Sequence, residues 1–174
     1  MKILWRTLLL FLTILLILVA HIFVVNFLPF PFDHINIIFS SLLLMLTVTS
    51  DKKVIWLALV ISYFSELFSS IPFGVGIAAL IASLLIINWF QLNILTNRSV
   101  YMVFLSALLG LSAYRFLFVL FLTANNYFFN QGALPYKEIA ANAGWEILLS
   151  SLAVFLFYIV GSQFLSKRKF NLSS

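Results

Sequence analysis

Cysteine is missing from this 174-residue chain, and histidine occurs only twice, as His21 and His34. No disulfide, thiol nucleophile or cysteine-ligated metal can therefore form. Two histidines are too few for a usual zinc site, and no H-E-x-x-H pair is present. Charge is scarce too. Asp, Glu, Lys and Arg make up 9% of the chain, against roughly 25% in soluble domains. There is no G-x-x-x-x-G-K-[ST] phosphate loop. Gly110-Leu111-Ser112-Ala113 lacks the second glycine of a nucleophile elbow, so it reads as small residues packing a helix. An intramembrane aspartate pair is also lacking, because Asp33 and Asp51 fall in loops on opposite sides. These absences leave no catalytic constellation, and no cofactor or metal site is expected.

What is present is apolar. Hydrophobic residues make up 64% of the chain and mean hydropathy is +1.15. That composition cannot cover a globule with polar surface, so most of the chain has lipid as its solvent. A spanning helix needs about 20 apolar residues at 1.5 Å rise each. Six runs meet or approach that length: 7–28, 35–50, 54–71, 74–95, 100–123 and 139–165. The second is short and needs snorkelling flanks or a thinned bilayer. Pro29 and Pro31 end the first run, and a polar loop over 124–138 separates the last two. Lys2 and Arg6 ahead of the first run resemble a signal peptide, but the run is too long and no A-x-A site follows, so it reads as a retained helix.

The predicted fold is one all-α domain, a polytopic bundle of six transmembrane helices. Six spans put both termini on one side. Lys2, Arg6, Lys52, Lys53, Arg98, Lys167, Arg168 and Lys169 then share that side, and Lys137 alone lies opposite. The positive-inside rule makes the basic side the cytoplasm. The net charge of +5 thus concerns orientation and anionic headgroups of the bilayer rather than nucleic acid.

Three ionisable residues lie inside apolar runs: Glu66, Arg115 and Glu146. A charge at the bilayer centre costs about 2.5–3.5 kcal/mol on insertion scales, so each needs a partner, water or neutralisation. From the helix rise, Glu66 and Arg115 lie about 18 and 22 Å from the cytoplasmic starts of their spans. Glu146, on a span running the other way, lies at about 20 Å. Two arrangements satisfy this levelling. Arg115 bridges both carboxylates in an interior polar cluster, or each carboxylate reaches the outer interface separately. His21 reads as a hydrogen-bonded packing residue.

The stretch Glu66-Leu67-Phe68-Ser69-Ser70-Ile71-Pro72-Phe73-Gly74-Val75-Gly76 is the main break between long apolar runs. It reads as an outward-facing turn with a carboxylate just inside the apolar phase. Beyond it, Gly76 with Ala79 and Ala78 with Ala82 recur at helical spacing, as expected for close helix packing.

The block from Tyr63 to Gly74 resembles the hallmark of the MreD family of rod-shape-determining membrane proteins. In that family an apolar helix ends in an acid and Leu, followed by a Ser/Gly-rich turn, Pro, an apolar residue, Gly and another apolar helix. Glu66, Leu67, Ser69, Pro72 and Gly74 match; Glu66 stands where aspartate is commoner and Ser70 where glycine is common. The resemblance covers most of the chain in layout and about a dozen residues in detail. It implies a non-enzymatic scaffold in the bacterial cytoplasmic membrane, supporting rod shape and lateral peptidoglycan synthesis. The implied partners are the bitopic protein MreC, the actin-like MreB, the RodA glycosyltransferase and a class B penicillin-binding transpeptidase. Glu66, Ser69, Pro72, Gly74 and Gly76 would shape the partner-binding hairpin. In layout the chain is also similar to the substrate-binding S-components of energy-coupling-factor vitamin transporters. There, Glu66, Arg115 and Glu146 with Asn125, Asn126 and Trp145 would form a solute pocket.

Overall fold

The computed structural model describes residues 2–49, 53–69, 71–94, 99–129 and 135–170, with side chains described in all of these except 2–10 and 163–170. Within them the chain is helical: α1 (Lys2–Phe27), the 3-10 turn η1 (Phe32–His34), α2 (Ile37–Thr49), α3 (Lys53–Leu67), α4 (Val75–Asn93), α5 (Val100–Phe129) and α6 (Tyr136–Phe170). No strand occurs among the described residues. By length and composition α4, α5 and the 136–162 part of α6 can each cross a membrane, while Phe11–Phe27 and α2 are shorter apolar helices.

The shortest helix organises the rest. α2 has 13 residues, about 20 Å of helix, and it touches each of the other five helices. Those five form a ring around it: α1 against α3, α3 against α4, α4 against α5 and α5 against α6. The ring does not close by helix contact between α6 and α1. Instead η1 touches both and fills the gap. Phe39, Leu42, Leu43 and Leu46 of α2 have no solvent exposure and meet Ile61, Leu84, Ile87, Val103, Leu111 and Val154 in one core. A 13-residue helix suffices at this position because its neighbours, not lipid, surround it.

Small residues let the backbones approach. Ala79 and Ser83 of α4 are fully buried. At Gly110 of α5 a Cβ would stand 3.0 Å from Ile87, 3.2 Å from Phe39 and 3.3 Å from Leu43, so α2, α4 and α5 meet at that point. The buried hydroxyls of Ser62, Ser83 and Ser106 donate to carbonyls three or four residues back in their own helices, which removes the cost of an unpaired polar group in an apolar core. Towards the end of α2, the Thr47 hydroxyl accepts from Gln91 Nε2 at 3.0 Å and donates to the Leu43 carbonyl at 2.8 Å. The exterior carries exposed Phe11, Leu16, Trp56, Phe116, Leu148 and Phe157 among many others, the composition of a surface solvated by hydrocarbon.

Several helix limits differ from the sequence expectation. α3 stops at Leu67 rather than continuing to Ile71, because Phe68 and Ser69 fold back as turns onto the carbonyls of Ser65 and Glu66. α5 continues through Phe129, six residues into the predicted loop, and α6 starts at Tyr136 rather than 139. The polar residues Asn125 and Asn126 mark a change of solvent, not a helix end. No proline occurs within α5, and its one glycine, Gly110, lies in the packed middle of the helix. Of the basic residues behind the topology reading, Lys53 opens α3. The side chains of Lys2, Arg6, Lys52, Arg98, Lys167, Arg168 and Lys169 lie outside the described residues, as does Ser70.

Candidate functional site

Two polar constructions occupy one end of the bundle. The first is the α3–α4 hairpin. A helix begins with backbone N–H groups that have no carbonyl partner, and in an apolar phase they need another acceptor. Gly74, the N-cap of α4, has no capping side chain of its own. Glu66, on the last turn of α3, supplies the missing acceptor. Its Oε2 accepts from the Gly74 N–H at 2.7 Å and its Oε1 from the Ile77 N–H at 2.8 Å. The carboxylate also sits at the positive end of the α4 dipole. Glu66 is 9% exposed, so these bonds satisfy a nearly buried charge.

The neighbouring residues make that reach possible. Gly74 has φ +94°, in the left-handed region where a Cβ is strained. At Gly76 a Cβ would fall 2.8 Å from Glu66 Oε1, so this position admits the carboxylate only as glycine. The Ser69 hydroxyl accepts from the Ile71 N–H at 3.2 Å, and the Pro72 carbonyl accepts from the Val75 N–H at 3.3 Å. Phe68 and Phe73 stand out from the turn, 85% and 62% exposed.

The second construction joins α5, α6 and the start of α2. Arg115 forms an ion pair through Nη2 with Glu146 Oε2. Glu146 is 2% exposed. Its other oxygen accepts from Asn36 Nδ2 at 2.8 Å, and the Asn36 N–H donates to the Ser150 hydroxyl at 2.8 Å. The Asn36 side-chain oxygen accepts from the Phe39 N–H at 2.9 Å and so caps α2. The guanidinium lies 5.5 Å from the Phe118 ring centre and 5.8 Å from that of Tyr114, within cation–π range.

The structure thus divides the predicted three-residue cluster. Arg115 pairs with Glu146, whereas both oxygens of Glu66 serve the backbone of α4. The unpaired N–H groups of a helix start compete for a carboxylate, and depth arithmetic along separate spans does not register them. The solute pocket sketched for the transporter-like layout is also redistributed. Asn125 lines an apolar groove with Phe73, Gly74, Val75 and Ala78, and Trp145 packs edge-on against Phe30.

Next to Arg115 and Glu146 lies a partly open cavity of about 570 Å³, within the usual range for small-ligand sites. Its walls come from α1, η1, the end of α3, α5 and α6, and its polar lining includes His21, Asp33, Asn36, Ser65 and Tyr114. His21 Nδ1 is buried there without a hydrogen-bond partner, contrary to the satisfied packing residue expected from sequence. Asn36, Tyr114 and Ser150 escaped the sequence reading, in which Asp33 counts only as half of an aspartate pair and lies in a loop. Asn36 carried a signal, since an Asn directly before an apolar helix is a strong N-cap candidate. Its bond partners Glu146 and Ser150 are four residues apart, on one helix face. No group of three or more His, Asp or Glu side chains suited to a metal ion is found among the described residues.

Comparisons with protein-family models, with curated proteins and with solved structures find no match for this chain.

Proposed function

We propose that the chain is a non-enzymatic, MreD-like scaffold of the bacterial cell-elongation machinery. In this reading six spans cross the cytoplasmic membrane with both termini in the cytoplasm, and the α3–α4 hairpin faces outward to pack against a partner. The observation that carries the reading is the concerted use of two of the resembling residues, Glu66 and Gly74, with Gly76 just beyond them. Glu66, Gly74 and Gly76 build one acid-capped turn, and that turn presents Phe68 and Phe73 outward. An MreC-like bitopic protein is the first partner to test, with MreB, RodA and a class B penicillin-binding transpeptidase in the same assembly. Phe68→Ser and Phe73→Ser alter the exposed rings and leave the capping bonds intact. Loss of co-purification with MreC at normal expression supports the scaffold; retention in the double variant counts against it.

A second reading rests on the cavity beside Arg115, which suits an S-component of a vitamin transporter. Depletion in a rod-shaped host separates the two. Rounded cells favour the scaffold, and a vitamin requirement with normal shape favours the transporter.

A further inference from the structure

The cavity beside α1 has an unusual charge balance. Arg115 is the one arginine or lysine in its lining, and its charge is already matched by Glu146. Asp33 is then the remaining fixed charge. Its Oδ1 is buried without a hydrogen-bond partner. The nearest cationic candidate, His34 Nε2, stands 3.9 Å away, beyond hydrogen-bond reach. Arg115 Nε is likewise buried with no acceptor, and so is His21 Nδ1. The site therefore offers at η1 a half-buried carboxylate, 32% exposed, whose one ionic contact is the long one to His34, and unused nitrogens on α5 and α1. Buried polar groups of this kind are normally satisfied, and together they describe the ligand that would satisfy them.

We propose that this cavity binds a molecule carrying an ammonium group, with Asp33 as counter-ion and with an oxygen acceptor placed against Arg115 Nε–H. Phosphoethanolamine has this chemistry, either as the headgroup of phosphatidylethanolamine or as a soluble phosphodiester. Anionic headgroups such as phosphoglycerol lack the ammonium and would leave Asp33 unmatched. The lining also has an apolar wall, Leu18, Ile22 and Val25 of α1 facing Phe68 and Ile71, which suits the first carbons of acyl chains. α1 touches no helix of the α4–α6 group, so this wall is held by α2, α3 and η1 alone. Phe68 borders both this cavity and the hairpin surface, whereas Phe73 lies outside the cavity, so Phe73→Ser tests the partner and Asp33→Asn the ligand, and either can fail alone.

The test uses the full-length protein, purified in detergent and stripped of lipid. Native mass spectrometry compares phosphatidylethanolamine with phosphatidylglycerol of the same acyl chains. At least ten-fold tighter binding of phosphatidylethanolamine is expected, with the preference abolished in Asp33→Asn. N-acyl-phosphatidylethanolamine, which has lost the positive charge, should bind no better than phosphatidylglycerol; this arm keeps the test valid if the variant does not fold. Thermal melting with soluble glycerophosphoethanolamine separates the sources. A stabilising shift from it, lost in Asp33→Asn, assigns a free solute and supports the same ammonium site. Equal binding of the two lipids without such a shift, or an ethanolamine preference retained by folded Asp33→Asn, overturns the proposal.

Discussion

Gly76 and Glu66 should be energetically coupled, and the coupling can be worked from their geometry. In Gly76→Ala the new Cβ would lie 2.8 Å from Glu66 Oε1, so the carboxylate must swing aside. It then loses its bond to the Ile77 N–H, a charge-assisted hydrogen bond of about 1.5–3 kcal/mol. Alanine returns up to about 1 kcal/mol of helix propensity, less in a first turn. The net cost of Gly76→Ala is therefore about 1–2 kcal/mol. In a Glu66→Ala background neither the clash nor the bond exists, and the same substitution should be neutral or stabilising by up to about 1 kcal/mol. The double-mutant cycle predicts a coupling of about 2 kcal/mol, within the range for residues in contact. Unfolding in mixed detergent micelles, followed by the fluorescence of the four tryptophans, measures it. An equal cost of Gly76→Ala in both backgrounds, within about 0.5 kcal/mol, would show that Glu66 does not cap α4 in the way described.

Two further outcomes follow from the same bonds. Gly74→Ala should cost about 1–2 kcal/mol from its left-handed backbone. Nothing lies within 4 Å of the added Cβ, so Gly74→Asn, which tolerates that conformation, should cost clearly less in the same unfolding assay. Arg115→Met or Glu146→Met alone should each destabilise by about 3–5 kcal/mol, because each strands a buried charge. The double substitution should cost less than either single one, and a simple sum of the two would refute the pairing.

Helix content and the apolar runs were legible in the sequence because composition and run length respond directly to the solvent around the chain. Ends were less so. Ala124 to Phe129 looked like a loop because the residues turn polar, yet a helix leaving an apolar phase has no reason to stop without a breaker. The three intramembrane charges were also visible, since a charge in an apolar run is conspicuous whatever its neighbours. Which of them pair was not visible. Glu66 reaches eight and eleven residues along its own chain to backbone groups, and backbone donors leave no mark in a residue pattern. Asn36 and Glu146 are 110 residues apart, and only the packing of α6 against the start of α2 brings them together. The central place of α2 was hidden for a related reason. A short apolar run reads as a poor span, and its surroundings are settled by the five helices packed around it.

That 110-residue separation has a consequence for how the chain is made. At roughly 5–20 residues per second, the ribosome reaches Glu146 about 5–20 s after Asn36 and about 2–6 s after Arg115. During the second, shorter interval the Arg115 guanidinium lacks Glu146, the carboxylate it pairs with in the finished chain. A chain cut short between α5 and α6 keeps that cation in its apolar run without Glu146, so the last helix to be made is the one that neutralises the charge.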